Sequence, residues 1–411
     1  MQKPISQRGY SVCRACGGSS LQDVLDLGEQ PLPAEYGLTS DEVMDVFPLC
    51  LRVCPQCSLG QLGEYVLPER IFHKSYPYLS SASSTWIEHS RRFAATTKDQ
   101  LQLGRDGLVL EVASNDGYLL GEFQNLGVPV LGVEPCANVA AMAVSAGIPT
   151  ISEFFGARLA EQLLEERGYP RLIAANNVFA HVPDMHDFMR GLSILTGADT
   201  LITIENPSFA LLLENTLFDT IYHEHYSYLS AHSVGAIAKS HGLTLMRVEQ
   251  LPTHGGSNRY WLGRAVEPEA SVKATMDAEI RSGLLAREHW DSFSLRANRA
   301  INGLRDWLVQ RRAAGDVVVG YGAAHKGNTF LNAVGPLSKT LAYVVDASSE
   351  KQGKFLPGSQ VPVLSPEQLA SGNPTDVLIL PWNIAAEISS RIRCLVPNAR
   401  IWVAQPEVRR L

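Results

Sequence analysis

LVLEVASNDG, residues Leu108–Gly117, decides the architecture of this chain. Leu108 to Ala113 is apolar except for Glu111, the pattern of a strand buried on both faces of a parallel sheet. Ser114-Asn115-Asp116-Gly117 then supplies turn and capping residues, so a helix is predicted to follow. A second strand, Val130–Val133, ends at Glu134-Pro135. Further strands are predicted at Arg171–Val178, Thr200–Glu205, Thr244–Leu251 and Asn258–Gly263. Helices fit around 137–146, 157–167, 184–196 and 231–241. Such alternation is that of an α/β, doubly wound open sheet. Only the turn PTHGGS lies between the last two strands, so they are expected to pair antiparallel.

Length and composition bound the rest. At 411 residues the chain is expected to hold two or three domains. Apolar residues make up 45% and charged residues 19%. A net charge of −7 argues against a nucleic-acid partner. No apolar run approaches the ~18 residues of a membrane span, so no membrane partner is expected. The N-terminus MQKPISQRGYSVCRACG has no apolar h-region, which reads as cytoplasmic.

Four of seven cysteines form two C-x-x-C knuckles, Cys13/Cys16 and Cys54/Cys57. In a reducing compartment this reads as a closed tetrathiolate zinc site, structural because no position remains for substrate. Cys50 is the rival ligand. Residues 1–72 are expected to form this zinc module, whose short apolar stretches (Leu21–Leu27, Val46–Leu51) need metal to fold. An aromatic connection, HKSYPYLSSASSTWIEHS from His73, leads to a helix from about Thr85 to Leu101, and Tyr76 and Tyr78 in it hint at a pocket cover. Residues 73–265 are assigned to the doubly wound domain and 266–411 to a smaller Rossmann-like one.

In that last part, 267–314 reads as one long helix. Strands follow at Val317–Val319, Leu341–Val345, Val377–Leu380 and Ile401–Val403. The turn Gly320-Tyr321-Gly322-Ala323-Ala324-His325-Lys326-Gly327-Asn328-Thr329 enters a helix, and a Lys in such a turn suits a diphosphate. With His325 in place of a third glycine it is a poor nicotinamide fingerprint, although Asp346 keeps a dehydrogenase or reductase in view. A structural glycine turn is the bland alternative.

Leu217–Leu229, LFDTIYHEHYSYL, crowds Tyr222, His223, Glu224, His225, Tyr226 and Tyr228 together. The two histidines lack the i, i+4 spacing of a helical zinc pair, though on a strand they would share a face. The crowding points instead to acid–base chemistry, with a His as base and a Tyr as oxyanion partner. A polar turn leading into a helix is the alternative.

A doubly wound sheet closed by an antiparallel hairpin resembles the class I methyltransferases that use S-adenosylmethionine. EVASNDGY has one glycine where a dehydrogenase has three, and Glu134 stands where an acid binds cofactor ribose. The resemblance narrows to the sugar C-methyltransferases of deoxysugar pathways through CPQCSLGQL, EVASNDGYLL, NNVFAHVPD, YHEHYSYLS, HGGSNR, GYGAAHKGNT and PWN, in order along nearly the whole chain. Cys50 adds a thiol to the pattern, and Tyr226 stands at a position that varies in the family.

This resemblance implies methylation of the carbon beside the ketone of a nucleotide-linked 4-keto sugar, at C-3 or alternatively C-5, commonly on thymidine diphosphate. It implies His225 as base, Tyr222 and Glu224 on the sugar, His181 near the methyl group, and Tyr76 reaching over. Cofactor binding is implied for Glu111, Ser114, Asn115, Gly117, Tyr118, Glu134, Asn176 and Asn177. Substrate binding is implied for Tyr78, Asn258, Arg259, Tyr321, His325, Lys326 and Asn328, with His223 behind the residues that touch the sugar. A zinc-containing scaffold with a vestigial methyltransferase fold is the non-enzymatic reading.

Overall fold

The computed structural model describes residues 6–8, 11–72, 76, 79–264 and 267–411. Its central sheet is seven-stranded, in the order Thr244–Leu251, Ser257–Gly263, Leu201–Pro207, Leu172–Asn176, Val109–Val112, Val130–Val133, Thr150–Ile151. The strand Val109–Val112 pairs parallel with its neighbours on both sides, and all four of its residues are buried, as a two-faced strand requires. The closing strands Thr244–Leu251 and Ser257–Gly263 pair antiparallel, as the short turn between them demands. The short edge strand Thr150–Ile151 was not legible: two residues give no periodicity.

The C-terminal sheet repeats the order of the first five strands of the central one. Val363–Leu364, Val344–Val345, Val318–Tyr321, Asp376–Ile379 and Arg400–Val403 lie side by side and parallel, and Arg409–Arg410 closes antiparallel. Both sheets also share one device. Glu134, after the second strand, accepts the N–H groups of Asn115 (3.0 Å) and Cys136 (2.8 Å). Asp346 accepts those of Ala323 (2.7 Å) and Ser348 (2.9 Å) in the same way. The expected long helix is two, Ala270–Arg281 and Arg287–Ala313. Gly283 breaks it at φ +84°, a conformation a side chain resists, while Leu284 turns fully into the core.

In the N-terminal part, Gln22–Pro31, Val46–Val53 and Gly60–Leu62 make an antiparallel sheet whose fourth strand is Ser227–Tyr228. That module is therefore not closed by the first 72 residues. One continuous core joins Leu49 and Leu51 of this sheet to Phe209, to Trp290 and Leu304 of the long helix, and to Phe330 of the C-terminal unit. Among the described residues, no helix is long and apolar enough to cross a membrane.

A buried charge network pins the hairpin to the sheet. Glu205, fully buried, accepts from Arg259 at 2.6 Å and lies 2.9 Å from His89 Nε2. Arg259 also reaches Glu249 and lies over the Phe93 ring. Burial pushes the Glu205 carboxyl up, but His89 and Arg259 outweigh it and the net displacement is downward. Its contribution to stability is thus intact above the ordinary carboxylate range and is lost as pH falls through the depressed folded value. Glu205→Ala strands Arg259 and His89 and is expected to cost about 3–5 kcal/mol, read as a fall in the urea midpoint.

Candidate active site

The four cysteines come together. Their sulfurs lie within 4.8 Å of one another, with Cys13–Cys57 at 3.5 Å and Cys16–Cys54 at 3.6 Å. Tetrahedral zinc with bonds of about 2.3 Å places its sulfurs roughly 3.8 Å apart, so the cluster has the spacing the metal needs. Cys50 stands outside it: its sulfur lies on the strand Val46–Val53, against the carbonyl of Leu51.

The knuckle carries more than cysteines. Arg14 donates through its backbone N–H to Gln61 Oε1 (2.9 Å), and its guanidinium binds the carbonyl of Tyr226 and the hydroxyl of Ser227. Ser227 and Tyr228 pair with Gln61 and Gly60, and Ser58 Oγ lies 2.6 Å from Ser230 Oγ. Gly60 is required here, because a Cβ would meet the Phe209 ring at 2.9 Å. Tyr226 is fully buried and donates to the Val66 carbonyl at 2.6 Å. His223 is buried against Phe47, its Nε2 donating to the Phe47 carbonyl at 3.1 Å, and burial lowers its pKa to about 4. His223, expected behind the residues that touch the sugar, faces the zinc module.

His225 and Tyr222 point the other way and stay half-buried. His225 Nδ1 donates to the Thr220 carbonyl at 2.8 Å, which leaves Nε2 as the free acceptor. Its ring lies 4.0 Å from Tyr222 and 4.8 Å from His181, centroid to centroid. Burial, then the neighbouring His181, holds the imidazole well below its ordinary pKa, so it is neutral. Burial likewise lowers His181, whose Nδ1 is buried without a hydrogen-bond partner. Glu224 is pushed up to about 7 by burial, against the pull of His181 and Tyr76. From the C-terminal unit, His325 packs on Tyr222 (5.7 Å) and stands 3.6 Å from Glu224 Oε1. Burial takes His325 down to about 4, so its ring is neutral beside Glu224 and the contact is not an ion pair.

His181 also belongs to the wall of a cavity of about 380 Å³ at the C-terminal ends of the central strands. Asn115, Tyr118, Glu134, Asn176 and Asn177 line it, and Tyr76 and Phe72 cover it from the connection. The donor set fits S-adenosylmethionine. Asn176 Oδ1 is buried without a partner in the wall, and the Glu134 carboxylate keeps lone pairs beyond the two N–H groups it accepts. Asn115 (φ 51°) and Asn177 (φ 52°) hold left-handed backbone there, strain of the kind that gathers at binding sites.

Other expected positions lie elsewhere. Glu111, Ser114 and Gly117 sit behind the wall: Glu111 is fully buried, and Gly117 is the φ +82° cap of the helix Tyr118–Asn125, where a Cβ would meet Ile148 at 2.9 Å. Asn258 donates to Tyr260 and Arg259 is locked to Glu205, so neither reaches the cavity, and Tyr321 is packed in the C-terminal core. Asn328 is buried with Oδ1 unpartnered. Tyr78 lies outside the described residues. Sequence reading missed Phe72 and Cys136 in the wall, His254 with its ring tilted 5.2 Å from Trp86, and the pair Asp219–Trp382. His254 carried a signal through HGGSNR, Trp382 through PWN and Asp219 through LFDTIYHEHYSYL.

Comparison with known proteins settles the family. C-methyltransferase NovU of Streptomyces niveus is 34% identical over 408 residues, 98% of this chain and 97% of that protein. The chain belongs to the sugar C-methyltransferase family. Family models for a zinc binding domain, a methyltransferase domain and a C-methyltransferase C-terminal domain match residues 13–72, 86–248 and 252–405. Solved structures of similar fold include PH0226 from Pyrococcus horikoshii (12% identity, 48% of this chain and 98% of that one, TM-score 0.38). The magnesium protoporphyrin IX methyltransferase of Synechocystis with bound S-adenosylhomocysteine is another (15%, 44% and 83%, 0.35). The protein is thus an S-adenosylmethionine-dependent C-methyltransferase.

Arg14→Ala removes the guanidinium that ties the metal knuckle to Tyr226 and Ser227. The expected result is a lower methylation rate with S-adenosylmethionine affinity, measured by calorimetry, unchanged within about twofold. Cys54→Ala/Cys57→Ala is expected to abolish bound zinc by elemental analysis.

Proposed function

We propose that the enzyme methylates C-3, the carbon beside the ketone, of a nucleotide-linked 4-keto deoxysugar, through an enolate. The observation that carries this is the pairing of a neutral His225, its Nε2 free, with the Tyr222 hydroxyl-bearing ring 4.0 Å away. A carbon acid of this type needs both a base at carbon and a donor at the ketone oxygen. S-adenosylmethionine supplies the methyl group by displacement at its sulfonium. His225 Nε2 takes the proton from C-3. Tyr222 donates to the oxygen on which negative charge develops, and Glu224, His181 and Tyr76 orient the sugar.

Burial has two consequences for this base. It keeps His225 unprotonated at neutral pH, so no active fraction is lost to the cation. It also weakens the base, which makes the Tyr222 donor to the enolate oxygen the compensating element. We place the sugar-nucleotide diphosphate at the His325–Lys326 turn, at the N-terminus of the helix His325–Val334. Beyond Tyr76 a second cavity of about 800 Å³, lined by Tyr36, Arg70, Lys351 and Lys354, gives the nucleoside room. We propose zinc as the metal of the Cys13/Cys16/Cys54/Cys57 site, holding the stretch 226–230 in place.

Incubation of candidate 4-keto sugar nucleotides with methyl-¹³C S-adenosylmethionine is expected to give a C–CH3 product by NMR, with the label on C-3. Label on C-5 would move the attacked carbon, and label on oxygen would overturn the enolate. Tyr222→Phe is expected to lower kcat by about 10²–10³ while the Kd for S-adenosylmethionine holds. The Glu224 carboxyl stays neutral in the fold up to about pH 7 but ionises near 4.5 when unfolded, so its contribution to stability falls as pH rises through that window. Glu224→Gln is expected to flatten the decline of Tm between pH 5 and pH 7.

A further inference from the structure

Asp219 is buried to 1% exposure in the turn Phe218–Thr220, directly before the carbonyl that fixes His225. Its Oδ2 accepts from Trp382 Nε1 at 2.6 Å, a side chain of the C-terminal unit, while its Oδ1 has no hydrogen-bond partner. The Lys326 ammonium lies over the Trp382 ring, 5.4 Å from its centroid. Lys326 is close enough to Asp219 for each to shift the other electrostatically, yet no ion pair between them is closed among the described residues. The groups that face this ammonium are Asp219, His225 and His254.

A buried lysine beside a buried carboxylate would ordinarily collapse into a contact pair, because each then recovers part of its lost hydration. Here the indole N–H occupies one carboxylate oxygen, and the indole face holds the ammonium at a distance. We propose that Trp382 and Asp219 are positioning residues: the indole keeps the Asp219 carboxylate from capturing Lys326, so the ammonium stays available to an anionic substrate. The same hydrogen bond ties the turn that orients His225 to the unit that carries Lys326. The inference rests on the placement of the substrate anion at Lys326 given above.

The test uses the full-length enzyme labelled with ¹³C-lysine, the Lys326 signal being assigned by its loss in Lys326→Arg. In Trp382→Phe the ring remains and the N–H is gone. Its Lys326 ammonium is expected to titrate about one pH unit higher than in the parent, a tenfold change in acidity. KM for the sugar nucleotide is expected to rise roughly tenfold with kcat changed far less, as loss of one charge-assisted contact implies. Adding Asp219→Asn removes the competing charge and is expected to restore KM and to bring the Lys326 titration back down, to or below the parent's. Lys326 titrating alike in the parent and Trp382→Phe, or a KM defect that Asp219→Asn fails to relieve, would overturn the proposal. Should Trp382→Phe not fold, Asp219→Asn alone must lower the Lys326 titration, and no change there also overturns it. A parent that turns over no sugar nucleotide defeats the substrate reading instead, while the titration still decides this one.

Discussion

Everything at the site depends on the pairing of Ser227 and Tyr228 with Gly60 and Gln61. That pairing makes a stretch from the middle of the chain the edge strand of the N-terminal sheet. A turn over Tyr222–His225, closed by the His225 N–H on the Tyr222 carbonyl at 2.9 Å, leads into that strand and sends neighbouring side chains opposite ways. His223 and Tyr226 go to the zinc module, each hydrogen-bonded to a carbonyl there, and Tyr222 and His225 are left facing the cavity side. The cysteine cluster sits one residue from Arg14, the side chain that clamps the same stretch. The cysteine cluster thus has a direct structural line to the stretch that carries His225.

Burial is the second organising force. His181, His225 and His325 are all depressed by it, and Glu224 is raised. Four titratable side chains can be crowded together because burial holds the histidines neutral, where a cluster of cations would repel itself. The site is neutral rather than charged, which suits chemistry in which negative charge appears only on an enolate oxygen. Lys326 supplies the positive charge from the opposite, C-terminal side.

Much of this was legible in the sequence, and the reasons differ by element. The strand Val109–Val112 and the closing hairpin followed from apolar runs and a short turn, which are local signals. The cysteine knuckles were legible because thiol spacing is tied to one coordination geometry. Thr150–Ile151 and the break at Gly283 were not, one for want of length and the other because a single glycine in a helical pattern is a weak mark. Nothing local distinguishes His223 from His225: the difference is which residue faces the strand Val46–Val53, and that is a contact 176 residues apart in sequence. Arg259 failed for a similar reason, since its partner Glu205 lies 54 residues away and takes it out of the site. Trp382 and Asp219 each stand in a stretch singled out in the sequence, but 163 residues separate them and nothing local pairs them.

The central claim is that His225 removes a proton from carbon before the methyl group arrives. Its most direct measurement is deuterium wash-in. The enzyme, a 4-keto sugar nucleotide and S-adenosylhomocysteine are incubated in deuterated water, and the sugar is followed by NMR. The account expects label at the carbon that is otherwise methylated, with both exchange and methylation falling by about 10²–10⁴ in His225→Asn. A His225→Asn enzyme that exchanges and methylates at close to the parent rate would contradict it, and the base would then have to be another group.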